Sequence, residues 1–304
     1  MLSWGRHYVM VEPSHFRLDY AINPYMDLAD QPDPALAMHE WRTLVSVIER
    51  SGGHVDVLPQ REDSPDMVYA MNLGLGVVRP RDSGLPGPSV VMSHMRYEQR
   101  RREVVSAQPW FAEHGYSTTY VGRDGVGAHF ESGDAFPWQG ELIVGYGPRT
   151  DELALKHLAT DLGVSVRGFR IVHPAMYHFD LVFCPLDERR AIVAPSALDA
   201  ASAEALLALV PEPLILTEEE NLTSFASNSI VVPSSAGKPT IVMPGCPDRV
   251  REQLEDWGFT VELVDVSEFH KGGGSVRCLT NPMDITIGRD LAPVSGGRVV
   301  LPPV

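Results

Sequence analysis

A cysteine placed behind a run of glycines is the first group in this 304-residue chain with the means to do chemistry. In Gly272-Gly273-Gly274-Ser275-Val276-Arg277-Cys278 the glycines let backbone approach closely, and Cys278, at the start of a strand, would present an accessible thiol as nucleophile. The other two cysteines read as structural, Cys184 inside the apolar run Leu181-Val182-Phe183-Cys184-Pro185-Leu186 and Cys246 beside Pro247 at a helix start. Three widely spaced cysteines make neither a disulfide framework nor a CxxC metal site. His178-Phe179-Asp180 reads as extended. The two-residue period of a strand then puts His178 and Asp180 on one face, where the carboxylate can orient the imidazole or grip a cation. That is acid/base machinery; a metal half-site is the weaker reading, because no other His or Cys offers ligand spacing. Glu131 and Asp134 flank Gly133 in a turn, and Asp66 opens another strand after Pro65. Carboxylates gathered near a thiol call for a cation between them, and a guanidinium, permanently charged with five donors in a planar fork, meets that demand. The glycine run is not a phosphate loop, since no Lys-Ser/Thr pair follows it and no strand-GxGxxG-helix context exists.

Such residues lie far apart in sequence, so the elements must bring them together. Helix-like stretches end at Gly53, Gly115, Gly163, Pro211 and Gly258, with spacings of 62, 48, 48 and 47 residues. Internal repetition at a near-constant period is the mark of one unit repeated about a ring. Trp41, Leu44, Val45 and Ile48 follow helical spacing, as do Leu155, Leu158, Ala159 and Leu162, and again Val250, Leu254 and Trp257. Ala201 to Val210 supplies a further helix and Pro109 to His114 a short one. After each helix a strand is predicted, at residues 54–58, 117–121, 165–167, 213–216 and 260–264. Polar stretches come next, at residues 66–72, 129–134, 178–180, 224–228 and 272–278. Units set about a common axis would carry these stretches to one pole, where a carboxylate, an amide, a histidine and a thiol meet. The expectation is one closed architecture over residues 1–304 and an enzyme.

With 44% hydrophobic and 21% charged residues, the composition is that of a globular protein able to bury a sizeable core. A net charge of −15 repels phosphate backbones and attracts cationic small molecules, so nucleic acid is excluded as partner and a basic substrate favoured. The amino-terminal residues lack a long apolar h-region, and no run of about 18 apolar residues occurs. A cytoplasmic protein without membrane partner, metal or cofactor is expected, and a homo-oligomer is compatible with the sequence.

These residues resemble the guanidine-modifying superfamily over nearly the whole chain. Its fold, the pentein, is an α/β propeller of five pseudosymmetric ββαβ-type units. The pattern is most similar to arginine dihydrolase in Asp19-Tyr20-Ala21-Ile22-Asn23-Pro24-Tyr25-Met26, Pro65-Asp66-Met67-Val68-Tyr69-Ala70-Met71-Asn72, Tyr177-His178-Phe179-Asp180 and Gly273-Gly274-Ser275-Val276-Arg277-Cys278-Leu279-Thr280. The resemblance implies Cys278 as nucleophile, His178 as general acid and base, and Glu131, Asp180 and Asp66 as guanidinium contacts, reacting through an S-alkylthiouronium intermediate. Asn72 stands where deiminases, dimethylargininases and amidinotransferases carry Asp and dihydrolases carry Asn, so the implied reaction is arginine to ornithine, ammonia and carbon dioxide, with Asn23 assisting. His94 stands where the family carries an arginine for the substrate carboxylate. That leaves Arg149 as the clearer anchor and Arg96 as a substitute displaced by about 7 Å along a strand. The turn around Glu131 is one residue shorter than the dihydrolase pattern. Citrulline-forming hydrolysis of arginine or methylarginine is the alternative and amidino transfer the third. Non-catalytic ribosome-binding penteins would not need Cys278, His178 and Glu131 together.

Overall fold

The computed structural model describes residues 1–79, 87–123, 126–234 and 237–303. Strand β1 (His7–Val11) is followed by α1 (Pro34–Arg50) and β2 (His54–Leu58), which pairs parallel to β1. Then β3 (Gly74–Val77) runs antiparallel to β4 (Ser89–Met92), and α2 (Glu98–Glu113) leads to β5 (Ser117–Tyr120), parallel to β4. A short hairpin, β6 (Gly122–Arg123) and β7 (Val126–Gly127), intervenes. The same order recurs in β8 (Ala135–Trp138), β9 (Glu141–Tyr146), α3 (Glu152–Leu162) and β10 (Ser165–Arg170). It recurs again in β11 (Phe183–Pro185), β12 (Arg190–Val193), α4 (Ala200–Leu209) and β13 (Glu212–Ile215). After α5 (Glu218–Ser224) come β14 (Ile230–Val232), β15 (Thr240–Met243), α6 (Asp248–Asp256) and β16 (Thr260–Leu263). Finally α7 (Ser267–His270) precedes β17 (Asn281–Pro282), which pairs antiparallel to β1, and β18 (Arg298–Val300), which adds to the edge of β10. Five small sheets thus share one order, an antiparallel pair extended by a parallel strand beyond a helix. The β17–β1 pairing ties the two ends of the chain together.

Local chemistry explains the helices. Asp33 caps α1 through Oδ1 to the N–H groups of Ala35 and Leu36, with Pro34 at the first helical position. The predicted faces of α1 and α3 are the buried ones, Trp41, Leu44 and Ile48 with Val45 half-buried in the first, Leu155, Leu158, Ala159 and Leu162 in the second. Gly163 ends α3 at φ 67°, a left-handed position that costs glycine nothing. One helix differs from expectation. Instead of a short Pro109–His114 segment, α2 starts at Glu98 and carries Pro109 inside it. Its buried face includes Arg100 and Glu103, joined by two hydrogen bonds of 2.9 and 2.8 Å, so a charged pair occupies positions where apolar spacing would have revealed the helix. Pro109 removes the bond to the carbonyl of Val105, which lies on the exposed face, 64% accessible, where solvent can satisfy it. No helix among the described residues is long and apolar enough to cross a membrane.

Candidate active site

The polar stretches do not form strands. Pro65–Val68, Ala70–Leu73, Ser132–Asp134 and Phe179–Leu181 are single 3₁₀ turns, each leading toward the first strand of a sheet. A 3₁₀ turn rises only about 2 Å per residue, which crowds several polar side chains into a short length. Asn72 thus precedes β3, Glu131 precedes β8, His178 and Asp180 precede β11, Asn228 precedes β14, and Cys278 precedes β17.

Contacts connect these five segments. His178 Nε2 lies 2.8 Å from Glu131 Oε2, so the carboxylate that orients the imidazole is Glu131, not Asp180 as the extended reading of residues 178–180 had it. Glu131 Oε2 also accepts from Arg149 Nη1 at 3.1 Å, and its Oε1 accepts the Arg96 main-chain N–H at 2.9 Å. Cys278 is 3% exposed, not accessible as expected. Its sulfur accepts from Asn228 Nδ2 at 3.2 Å and donates to Asp180 Oδ2 at 3.4 Å. Asn228 Oδ1 accepts the main-chain N–H groups of Arg277 and Cys278 at 3.0 and 3.2 Å, so one amide fixes both the backbone and the sulfur of the cysteine. Among the described residues Asp180 Oδ1 has no hydrogen-bond partner. Asn72 Oδ1 accepts the Gly133 N–H at 3.0 Å, and a Cβ at Gly133 would stand 2.8 Å from that oxygen and 3.0 Å from Asp180 Oδ2. Asn72 and Asp180 therefore meet over one glycine, with the Cys278 sulfur on the same Asp180 oxygen.

The remaining predicted residues lie around this centre. Asp66 is buried, with the Arg100–Glu103 pair behind it; Arg100 Nη2 donates to the Asp66 carbonyl at 3.2 Å. A cavity of about 450 Å³ lined by Asp19, Tyr20, Asp63, Pro65, Glu98, Gln99 and Arg102 adjoins it; a larger one of about 570 Å³, between α3 and β18, holds none of these site residues. Asn23, in the long connection from β1 to α1, donates to the Gly272 carbonyl at 3.0 Å. Arg149 is buried between the rings of Tyr97 and Tyr177, 4.7 and 4.4 Å from their centroids. His94 turns its imidazole to the Ala128 carbonyl and stacks on His129, and the Arg96 guanidinium is held by Asp151 at 2.7 Å. Neither side chain has a hydrogen bond to Glu131, Asp180 or Cys278.

Burial and charge set the protonation states. Burial would raise Glu131, but the Arg149 guanidinium and His178 outweigh it and hold the carboxyl far below its ordinary range. Burial and then the Asp180 charge push the Cys278 thiol well above its ordinary value. Burial also raises Asp180 and Asp66, and takes Asp134 up to about 7. Asp134 is a buttress rather than a contact: it accepts from Thr150 Oγ1 at 2.6 Å and from the Phe179 N–H at 2.8 Å, bracing both acidic turns. The sequence motifs assign no role to Asn228, Gly133 or Tyr177, whose hydroxyl donates to the Gly273 carbonyl at 2.6 Å. Asn228 had a signal, since it ends the polar stretch of its own repeat.

A thiol, an imidazole and two carboxylates thus converge from three of the repeats. Residues 12–285 match the family described as N,N dimethylarginine dimethylhydrolase, eukaryotic. The chain belongs to that family. It is 31% identical over 277 residues to the N(G),N(G)-dimethylarginine dimethylaminohydrolase of Mycobacterium tuberculosis, covering 90% of this chain and 85% of that one. It is also 31% identical to the bifunctional arginine dihydrolase/ornithine cyclodeaminase ArgZ of Synechocystis, covering 90% of this chain but only 37% of that longer protein. Among solved structures, the N-terminal domain of ArgZ, an arginine dihydrolase from cyanobacteria bound to product, superposes with a TM-score of 0.80 at 28% identity, covering 92% of this chain and 98% of that one. The chain has the mixed α/β fold of these pentein-type proteins, and with the family goes the reaction class, hydrolysis of guanidino C–N bonds.

Proposed function

We propose that residues 1–304 form a single five-bladed pentein propeller that works as an arginine dihydrolase, turning arginine and two waters into ornithine, two ammonia and carbon dioxide. The five sheets of shared strand order support the propeller. The observation that carries the function is Asp180, a buried carboxylate with one oxygen beside the Cys278 sulfur and the other without a partner among the described residues. An unpaired acceptor there suits a guanidinium, with Asp66 as the second carboxylate. Glu131, its oxygens already used, serves His178 rather than substrate. The bound cation would lower the raised pKa of the thiol, so substrate activates its own nucleophile. The Cys278 thiol gives up its proton to His178 as the sulfur attacks the guanidinium carbon; His178 hands that proton to the departing ammonia and then takes one from the water that hydrolyses the thiouronium. Released as thiol, Cys278 can attack the ureido carbon in a second round.

Asn72 supports the second round. With Oδ1 on the Gly133 N–H, the side chain's other polar function is the Nδ2 donor, which suits a neutral ureido oxygen as an acceptor-only Asp would not. The related ArgZ domain has been solved as a cysteine-to-serine variant bound to substrate and as an asparagine-to-serine variant covalently bound to a reaction intermediate. Asn23, Arg149 and Arg96 would meet the amino-acid end of the substrate with His94 at the margin, in a cytoplasmic enzyme needing no cofactor. The second reading, release of citrulline from a methylated arginine, is favoured by the equally similar M. tuberculosis relative, of which the chain covers 85% rather than 37%. Incubation with arginine, methylarginines and citrulline, with ornithine and ammonia quantified, separates the two. Two ammonia per ornithine are expected, and Asn72→Asp should leave citrulline accumulating. Stable citrulline from the unmodified chain would overturn the dihydrolase reading.

A further inference from the structure

His7, His54 and Asp56 form a cluster that the reaction does not use. In the parallel pair β1–β2, His7 lies opposite His54, and Asp56 is two residues further along β2, so all three side chains share one face of the sheet. His7 Nε2 is 2.7 Å from one oxygen of Asp56 and His54 Nε2 is 3.2 Å from the other. The imidazole centroids are 5.2 Å apart, and the ligating atoms of the trio lie within 4.8 Å of one another. One carboxylate collecting two imidazole nitrogens exceeds what an ordinary ion pair requires. Among the described residues no Lys or Arg pairs with Asp56, and both Asp56 and Asp284 bear on the nearby Tyr116 hydroxyl, so the surroundings are anionic.

We propose that these three residues bind a divalent transition-metal ion, zinc foremost. Two imidazole nitrogens and one carboxylate oxygen are the donors that zinc, nickel and copper take, whereas calcium and magnesium prefer oxygen alone. His54, 67% exposed, leaves the remaining coordination positions to water. The trio sits at the start of β1, while Cys278 precedes β17, which meets β1 further along; the metal therefore lies at the opposite end of this sheet from the thiol. His7 also accepts the Met283 N–H at 2.9 Å through its carbonyl. A metal here would clamp β1 to β2 at the place where β17 closes onto β1. No short His spacing announces the site in the sequence, because α1 intervenes between its ligands.

The test is zinc and cobalt titration of the full chain, unmodified and as His54→Ala, Asp56→Ala and Cys278→Ser. Cys278→Ser should keep one tightly bound zinc, while His54→Ala and Asp56→Ala should each lose at least about tenfold in affinity. Zinc should raise the melting temperature of Cys278→Ser but not that of His54→Ala. The cobalt form of Cys278→Ser should keep its visible d–d bands, and those of His54→Ala should vanish. Zinc affinity unchanged by His54→Ala, or abolished by Cys278→Ser, would overturn the assignment. Metal-free His54→Ala should turn over arginine like the metal-free unmodified chain, which separates this site from the catalytic one.

Discussion

Around Cys278 the decisive groups are an amide and a carboxylate, each one hydrogen bond from the sulfur. Asn228 holds the sulfur by Nδ2 and the backbone of residues 277 and 278 by Oδ1, so it can steady a thiolate without competing with a cationic substrate. Asn228→Ala removes one hydrogen bond to a developing anion, worth about 1.5–3 kcal/mol, and kcat should fall roughly 10–100-fold while KM changes little. Unchanged kcat would show that the amide is only structural. Asp134 offers a pH test. Its folded-state pKa of about 7 is above the usual carboxyl value, so the native state holds a proton that the unfolded chain has lost. Native stability should therefore fall as pH rises from about 4 to about 7 and level off beyond, by a contribution of order 2–4 kcal/mol. Denaturation of Asp134→Asn across that window should lack this component, since the amide reproduces the protonated acid toward Thr150 and Phe179.

At the level of elements, short turns placed before strands do the positioning, and glycine sets how closely they approach. Gly133 lies outside the left-handed region, so alanine fits its backbone without strain. The new Cβ would instead press on Asn72 Oδ1 and Asp180 Oδ2. Gly133→Ala should keep its melting temperature within a few degrees yet lose about 100-fold in kcat, the cost of an ångström-scale misplacement. Equal losses in both would point to a folding defect. The loop that carries Asn228 is fixed by α5, whose Thr217–Glu220 capping box is complete and whose Asn221 joins the Leu181 carbonyl at 2.8 Å to the Ser227 N–H at 3.1 Å. Apolar periodicity revealed α1 and α3 because their buried faces are hydrocarbon. It hid most of α2, where Arg100 and Glu103 satisfy each other, and it could not distinguish a 3₁₀ turn from a strand in stretches of only a few residues.

For the molecule as a whole, the excess of 40 acidic over 25 basic residues faces a reaction that starts from a cation. Steering by this field should make kcat/KM for arginine fall about two- to fivefold between roughly 20 and 500 mM NaCl, with kcat unchanged. A salt-independent kcat/KM would place the steering in local contacts alone. Residue order by itself determined the repeat, the faces of the regular helices and the kinds of reactive group each unit contributes, because helix ends, apolar spacing and residue type are properties of short stretches. Only the tertiary structure decided that Glu131 rather than Asp180 orients His178, that Arg149 pairs with Glu131, and that Asn228 holds the thiol. It also decided that Cys278 is buried and that His7, His54 and Asp56 meet. Each of those outcomes depends on contacts between segments tens to hundreds of residues apart, where sub-ångström placement and burial, not local spacing, choose the partner and the protonation state.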